Sequence, residues 1–325
     1  MCTAIRYQTH AHYFGRNLDL ERGYGECVVI TPRHCPLPLR HLPDMTEHYA
    51  MIGTAAVAQG YPLYFEATNE RGLSMAGLNF PDNAAYAEVA DGYDNVAPFE
   101  LIPHLLGKYA TVDEVRRALK TLRVVHTSFS KQLPASPLHW MIADAKDCLT
   151  LECTREGMRL YDNPFGVLTN NPTFDYHLTN VSNYMHLHAG PCANRLGDDL
   201  PVGNYSLGMG ALGLPGDYSS ASRFVRAVFV KQHSVCDGGE EASVSQFFHL
   251  LSSVAMPRGC VLAHDGQFEY TRYSSCCNTD RGVYYYTTYD DPTIRSVDMH
   301  AVDLNATTLY SYPMDTTPFE RTTFP

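Results

Sequence analysis

Met1-Cys2-Thr3-Ala4-Ile5-Arg6-Tyr7, followed shortly by Phe14-Gly15-Arg16-Asn17-Leu18-Asp19, is the stretch whose reading decides the fold of this chain. Thr3 to Tyr7 and His12 to Phe14 alternate apolar and polar residues, and the polar turn Gln8 to Ala11 separates them, which is the pattern of a β-hairpin. Removal of Met1 leaves Cys2 at the head of that hairpin with a thiol and a free α-amino group on one residue. The thiolate is the reactive form of cysteine, and an α-amine with a reference pKa of about 8 keeps a neutral fraction near pH 7. Such a residue supplies its own base, without a histidine partner. A cysteine after an initiator methionine is also commonplace, so the rest of the chain decides between the two readings.

At 325 residues the chain could hold two average domains, but no linker or composition break divides it, and a layered fold can absorb this length. One domain over residues 1–325 is expected. Hydrophobic residues at 45% and charged residues at 18% describe a globular chain with a sizeable core. The net charge of -11, unrelieved by any lysine or arginine run, excludes nucleic acid as a partner. The N-terminus shows no basic region leading into an apolar run, and no stretch of about 18 apolar residues occurs, so neither a signal peptide nor a membrane-spanning helix is expected. The expectation is a soluble cytoplasmic protein. The 10 cysteines are scattered and include no Cys-x-x-Cys pair, so most should be buried thiols. His186 and His188 have no matching ligands nearby in sequence, and no metal site is expected.

Further strands are expected at Cys27 to Thr31, Tyr49 to Ala56, Leu63 to Ala67 and Leu73 to Leu78, each bounded by Gly, Pro or Asn. Thr111 and Glu114 have capping-box spacing before a helix whose face carries Val112, Val115, Leu119 and Leu122. Leu138 to Asp144, Leu149 to Thr154, Met158 to Tyr161 and Gly166 to Thr169 then read as a meander. Two helices follow, one over Ser219 to Gln232 with Phe224, Val225, Val228 and Phe229 as its stripe, and one opening at a Ser243/Gln246 capping box. The C-terminal region returns to β, with Val283 to Tyr289 its clearest strand. Strands in two blocks with helices between and after them indicate an α+β layered fold. The run Tyr284-Tyr285-Tyr286 suits strand packing.

A cysteine nucleophile needs a cation to stabilise its thiolate, a group to hold its amine, and donors for the oxyanion. Arg16 could lower the thiol pKa and Asp19 could hydrogen-bond the amine; equally, the two could form an ion pair that braces a turn. Asn79, in Gly77-Leu78-Asn79-Phe80-Pro81, and Asn170, in Leu168-Thr169-Asn170-Asn171-Pro172-Thr173-Phe174, stand where strands end. An asparagine amide is a suitable oxyanion donor, and an asparagine near proline is also ordinary turn chemistry. Arg223, in Ser222-Arg223-Phe224, could be site or surface charge.

In order and spacing these segments, with Pro215-Gly216-Asp217, Leu138-His139-Trp140 and Tyr284 to Tyr289, resemble the choloylglycine hydrolase family, which contains bile salt hydrolases and penicillin V acylases. The resemblance implies an N-terminal nucleophile hydrolase fold, a four-layer αββα sandwich. It implies Cys2 as nucleophile, Arg16 and Asp19 as its close partners, Asn79 and Asn170 as oxyanion and substrate-positioning residues, and Arg223 as the charge that organises the site. In the resembling family the position of Asn79 is typically asparagine in bile salt hydrolases and tyrosine in penicillin V acylases, so Asn79 favours bile salts. Leu18, Phe65, Phe129 and Leu133 match positions that face the steroid, and an apolar lining suits a sterol. The expected reaction is hydrolysis of glycine- or taurine-conjugated bile acids, without cofactor or metal, by a homotetramer. The alternatives are a penicillin V or acyl-homoserine-lactone acylase with the same machinery, and a sterol-binding protein without chemistry.

Overall fold

The opening hairpin forms as its alternation requires, and its second arm runs well past Phe14. In the computed structural model, which describes residues 1–314, β1 (Cys2–Gln8) pairs antiparallel with β2 (His12–Leu20) from Cys2↔Leu18 to Gln8↔His12. Residues 315–325, which the single-domain expectation includes, lie outside the described residues. Every residue of β2 is buried, so both of its faces are covered and no polar alternation marks its second half.

β3 (Glu26–Thr31), β4 (Met51–Ala58), β5 (Tyr61–Asn69) and β6 (Ser74–Asn79) follow as antiparallel neighbours. β7 (Asp94–Val96), α1 (Leu101–Lys108), α2 (Val112–Ala118) and β8 (Leu122–Val124) come next, with β7 and β8 paired in parallel. α1 lies outside the sequence expectation because its N-cap is Glu100, which makes no side-chain capping bond. α2 starts as its capping spacing predicts: the Glu114 amide donates to Thr111 Oγ1 at 3.2 Å, while Glu114 Oε2 accepts from the Ala110 amide at 2.7 Å.

β9 (Leu138–Ala143), β10 (Cys148–Thr154) and β11 (Gly157–Asp162) extend the same sheet from β6. The expected fourth strand of that meander, β12 (Val167–Leu168), instead crosses to the other sheet and pairs with β1, Ala4 opposite Leu168. The Asn163 side chain redirects the chain: it accepts from the Gly166 amide at 2.9 Å and donates to the Val167 carbonyl at 2.9 Å, and Gly166 takes a left-handed φ of 58°. α3 (Phe174–Asn180), α4 (Ser220–His233) and α5 (Glu240–Ser252) follow. α5 starts at Glu240 rather than at the expected Ser243 cap; the Ser243 hydroxyl donates back to the Gly239 carbonyl, and Glu240 and Glu241 complement the positive end of the helix dipole. The chain closes with β13 (Val261–Leu262), β14 (Phe268–Asn278), β15 (Val283–Thr288), β16 (Arg295–Asp298) and β17 (Tyr310–Pro313).

Beside the small β7–β8 pair, two large sheets result, a seven-stranded one in the order β12-β1-β2-β14-β15-β16 with β13 beside β14, and an eight-stranded one in the order β11-β10-β9-β6-β5-β4-β3-β17. Phe224 and Val228 of α4 and Phe247 and Leu251 of α5 pack with Ile5 and Tyr7 on the first sheet. Leu101, Leu105, Val112 and Val115 of α1 and α2 pack with Met75 and Ile142 on the second. Val28, Ile30, Ile52, Cys277, Tyr284 and Tyr286 meet between the sheets, completing an αββα sandwich.

β2 and β14 approach so closely that a Cβ on Gly15 would stand 2.0 Å from the Ser275 carbonyl oxygen. Gly15→Ala is therefore expected to cost about 1–3 kcal/mol by overpacking, read as a lower urea midpoint. An unchanged midpoint would mean that the two strands part freely.

Candidate active site

Register decides which hairpin side chains share a face with Cys2. Cys2 lies opposite Leu18 and Ala4 opposite Arg16, and alternate residues of a strand point to opposite faces. Cys2, Ala4, Arg16 and Leu18 therefore face the second sheet, and Arg16 Nη1 donates there to the carbonyls of Phe65 at 3.0 Å and Gly77 at 2.6 Å. Thr3, Asn17 and Asp19 face the helices, where Asn17 Nδ2 donates to the Leu251 carbonyl of α5 at 2.9 Å. Arg16 and Asp19 thus stand on opposite faces of β2 and do not brace a turn together. The carboxylate at ion-pair distance from Arg16 is Glu66, 3.8 Å away, and the cation facing Asp19 is Arg223, at 4.0 Å.

Arg223 is buried, not surface charge. It rises from α4, with Nη1 donating to the Cys2 carbonyl at 2.5 Å and to Thr3 Oγ1 at 2.7 Å, Nη2 to Asn170 Oδ1 at 2.7 Å, and Nε to the Tyr218 carbonyl at 3.0 Å. Burial pulls its guanidinium below the ordinary value, and the Asp19 carboxylate opposes that shift. Burial likewise pushes the Asp19 carboxyl up, with Arg223 the main opposing charge. Asp19 Oδ1 accepts from the Thr271 hydroxyl at 2.6 Å, and Thr271 Oγ1 in turn accepts from the Met256 amide at 2.8 Å.

Asn170 is held on every side. Its amide donates to Ser220 Oγ at 2.8 Å, and its carbonyl accepts from His177 Nε2 at 3.0 Å. Burial lowers His177 to about 4, so its ring is neutral at neutral pH. The oriented carboxamide accepts from the Cys2 amide at 2.8 Å through Oδ1 and donates through Nδ2 to the Asn79 carbonyl at 2.7 Å. One residue earlier, the Thr169 carbonyl accepts from His139 Nε2 at 3.0 Å, and His139 Nδ1 lies 3.1 Å from Glu152. The structure thus brings Cys2, Arg16, Asp19, Asn170 and Arg223 together, with Asn79 at the end of β6 beside Asn170. It adds Ser220, His177, Thr271 and Glu66, whose only signal in sequence is their residue type.

Met1 prolongs the hairpin ladder, its carbonyl accepting from the Asp19 amide at 3.0 Å. Its ammonium donates to the Asp19 carbonyl at 2.8 Å and pairs with the Glu269 carboxylate. Burial pushes that amine below its ordinary 8.0.

The four expected substrate-facing residues do not form one cluster. Leu18, beside Cys2, and Phe65 pack with the first core, and the Phe65 ring lies 6.4 Å from that of Tyr24. Phe129 belongs to the second core, 5.2 Å from the Phe99 ring and 5.9 Å from that of Tyr61. Leu133 is half-buried in the loop that follows, its amide donating to Ser130 Oγ at 3.1 Å. Among the described residues no group of His, Cys, Asp and Glu is arranged to hold a metal ion, no helix is long and apolar enough to cross a membrane, and all 10 cysteines are free thiols.

The profile of the linear amide C–N hydrolases, choloylglycine hydrolase family, matches residues 2–312. A bile salt hydrolase/transferase of Lactiplantibacillus plantarum is 50% identical over 314 residues, 97% of either chain. Among solved structures, the C2A variant of the conjugated bile acid hydrolase from Clostridium perfringens superposes with a TM-score of 0.92 at 32% identity, covering 99% of both chains. Penicillin V acylase from Agrobacterium tumefaciens shares the fold, with a TM-score of 0.76 at 19% identity over 95% of this chain and 90% of its own.

The start of α4, which carries Arg223, is pinned by Asp217, whose carboxylate accepts from the Ser219 amide at 2.9 Å and the Ser222 hydroxyl at 2.6 Å. These bonds lower Asp217 from 3.8 to about 2. A depressed carboxyl stabilises the fold above its unfolded pKa and loses that contribution as pH falls through its folded one. Asp217→Asn should thus lose a few tenths to about 1 kcal/mol at pH 6, and the gap in urea midpoint from the unsubstituted protein should close as pH falls from about 4 towards about 2.

Proposed function

Because this chain belongs to the choloylglycine hydrolase family of linear amide C–N hydrolases, we propose that it is a bile salt hydrolase that cleaves the amide of glycine- and taurine-conjugated bile acids with Cys2 as nucleophile. The observation that carries the mechanism is the backbone nitrogen of Cys2, seated 2.8 Å from the Asn170 carboxamide oxygen. Once Met1 is gone, that nitrogen is an α-amine already oriented beside its own thiol. Cys2 is itself buried, and burial favours the neutral, proton-accepting form of an amine.

The thiol proton passes to this amine, and Arg16, on the same face of the sheet and in electrostatic contact with Cys2, faces the sulfur as it attacks. The thiolate attacks the amide carbonyl. The Asn79 carboxamide donates to the tetrahedral oxyanion, while Asn170 holds the amine and the Asn79 backbone. Arg223, balanced by Asp19, holds the Cys2 carbonyl so that the nucleophile keeps its place. The protonated amine then gives its proton to the departing nitrogen of glycine or taurine. The amine next takes a proton from water, whose oxygen attacks the thioester, releasing the free bile acid and the Cys2 thiol. An acceptor amine in place of that water would form a new amide, in keeping with the hydrolase/transferase name of the Lactiplantibacillus plantarum relative. Leu18, Phe65, Phe129 and Leu133 are assigned to the sterol.

The assignment extends to a cytoplasmic homotetramer. Ten free cysteines suit a reducing compartment. Leu196, Tyr205 and Leu207 are 81%, 82% and 100% exposed on one extended segment, apolar surface that neighbouring copies would cover. Light scattering should return four times the monomer mass of 36.3 kDa.

Cys2→Ser should lower release of glycine and taurine, read with ninhydrin, by about a thousandfold or more while leaving circular dichroism unchanged. Asn79→Ala should lower kcat by about 100- to 1,000-fold. Retention of Met1 in fully active protein, seen by mass spectrometry, would sink the self-base mechanism. Faster hydrolysis of penicillin V than of glycocholate would move the enzyme to the acylase branch.

A further inference from the structure

Between the sheets, on the side of Arg16 remote from Asp19 and Arg223, lies a carboxylate to which the reaction scheme assigns no part. Glu66 of β5 is 1% exposed. Its Oε2 accepts from the Tyr273 hydroxyl at 2.7 Å, and its Oε1 accepts from the Ser275 hydroxyl at 3.1 Å and from the Tyr284 hydroxyl. Tyr284 is seated in turn, its oxygen 2.6 Å from the Thr54 hydroxyl. The donors come from β14 and β15 of the first sheet and the carboxylate from the second, so the cluster spans the inter-sheet layer. It ends at Arg16, whose Nε lies 3.8 Å from Glu66 Oε2.

Three positions of the Arg16 guanidinium are thereby accounted for. Nη1 is held by the Phe65 and Gly77 carbonyls, Nε faces Glu66 and the Asn17 carbonyl, and Nη2 is buried with no hydrogen-bond partner among the described residues. The carbonyls fix one nitrogen but carry no charge. A guanidinium in a low-dielectric layer needs a counter-charge as well as hydrogen bonds, and among the described residues Glu66 is the carboxylate at ion-pair distance. Because the guanidinium is planar, holding the Nε edge and Nη1 also fixes the direction of the unpartnered Nη2.

We propose that Glu66, seated by Tyr273, Ser275 and Tyr284, is a positioning residue for the hydrolysis: it holds Arg16 so that its free Nη2 stays available on the Cys2 face of the sheet. This inference rests on the part assigned to Arg16 in the reaction.

The test is a double-mutant cycle of Glu66→Gln and Arg16→Leu on the mature enzyme, with glycocholate turnover, melting temperature, and the rate at which iodoacetamide alkylates Cys2, followed on the N-terminal peptide by mass spectrometry. Glu66→Gln keeps the shape and hydrogen-bonding capacity of the side chain while removing its charge. It should lower kcat by about ten- to a hundredfold through misplacement of Arg16, leave KM within about twofold, and slow alkylation of Cys2. In the Arg16→Leu background it should change neither kcat nor the alkylation rate further, because the group through which it acts is gone. A lower melting temperature with unchanged kcat and alkylation would make Glu66 purely structural and overturn the proposal. So would a full, multiplicative loss in the Arg16→Leu background. If Arg16→Leu alone leaves kcat intact, the part assigned to Arg16 fails and this inference with it, an outcome distinct from an inert Glu66→Gln beside a damaging Arg16→Leu. Should Glu66→Gln not fold, Tyr273→Phe, which removes one donor to the carboxylate, takes its place in the same cycle with a smaller loss of the same pattern.

Discussion

A buried guanidinium holds this molecule's functional centre in place. Arg223 leaves α4 and donates to the carbonyl of Cys2, the hydroxyl of Thr3 and the carboxamide of Asn170. Burying an arginine costs several kcal/mol unless its hydrogens and its charge are both met. Those three acceptors, the Tyr218 carbonyl and the Asp19 carboxylate at 4.0 Å meet them. The helix layer, the first sheet and the turn after β12 are consequently joined at one point, and that point is the backbone of Cys2. A displacement of α4, of the Asn170 turn or of Asp19 would leave a buried charge unsatisfied.

The sandwich supplies this arrangement twice. On the helix side of β2 the pair is Arg223 and Asp19; on the inter-sheet side it is Arg16 and Glu66. Each cation has a carboxylate close enough to offset burial, and Arg223 also donates to the Cys2 carbonyl. A single β-strand, with neighbouring side chains on opposite faces, delivers Arg16 to one layer and Asp19 to the other. Cys2 sits where both layers reach it, at the end of a hairpin that Met1 prolongs.

Legibility followed the physics of each element. The hairpin and α2 could be read because alternation and a capping pair are local signals. The second half of β2 could not, since burial on both faces erases alternation. β14, central to its sheet, mixes Tyr, Thr, Ser and Cys and carries a register irregularity between Thr271 and Tyr273, which hides its period. β12 was legible as a strand but not as a member of the first sheet, because two apolar residues bear no mark of which partner they join. Glu66, Ser220, His177 and Thr271 were illegible for the same reason. Their residue types are ordinary, and only position gives them a part.

What the sequence by itself determined is therefore the cysteine that follows Met1, the hairpin that presents it, the two-sheet α+β plan, and the identities of the arginines, asparagines and aspartate that surround it. Only the tertiary structure decided that Arg16 and Asp19 act from opposite faces, that Arg223 is buried against Cys2, and that Asn170 orients both Cys2 and Asn79. The reason is contact distance along the chain: Cys2 and Asn170 are separated by 168 residues and Cys2 and Arg223 by 221. Periodicity reports which face of its own element a residue occupies, and it carries no information about which distant element packs against that face.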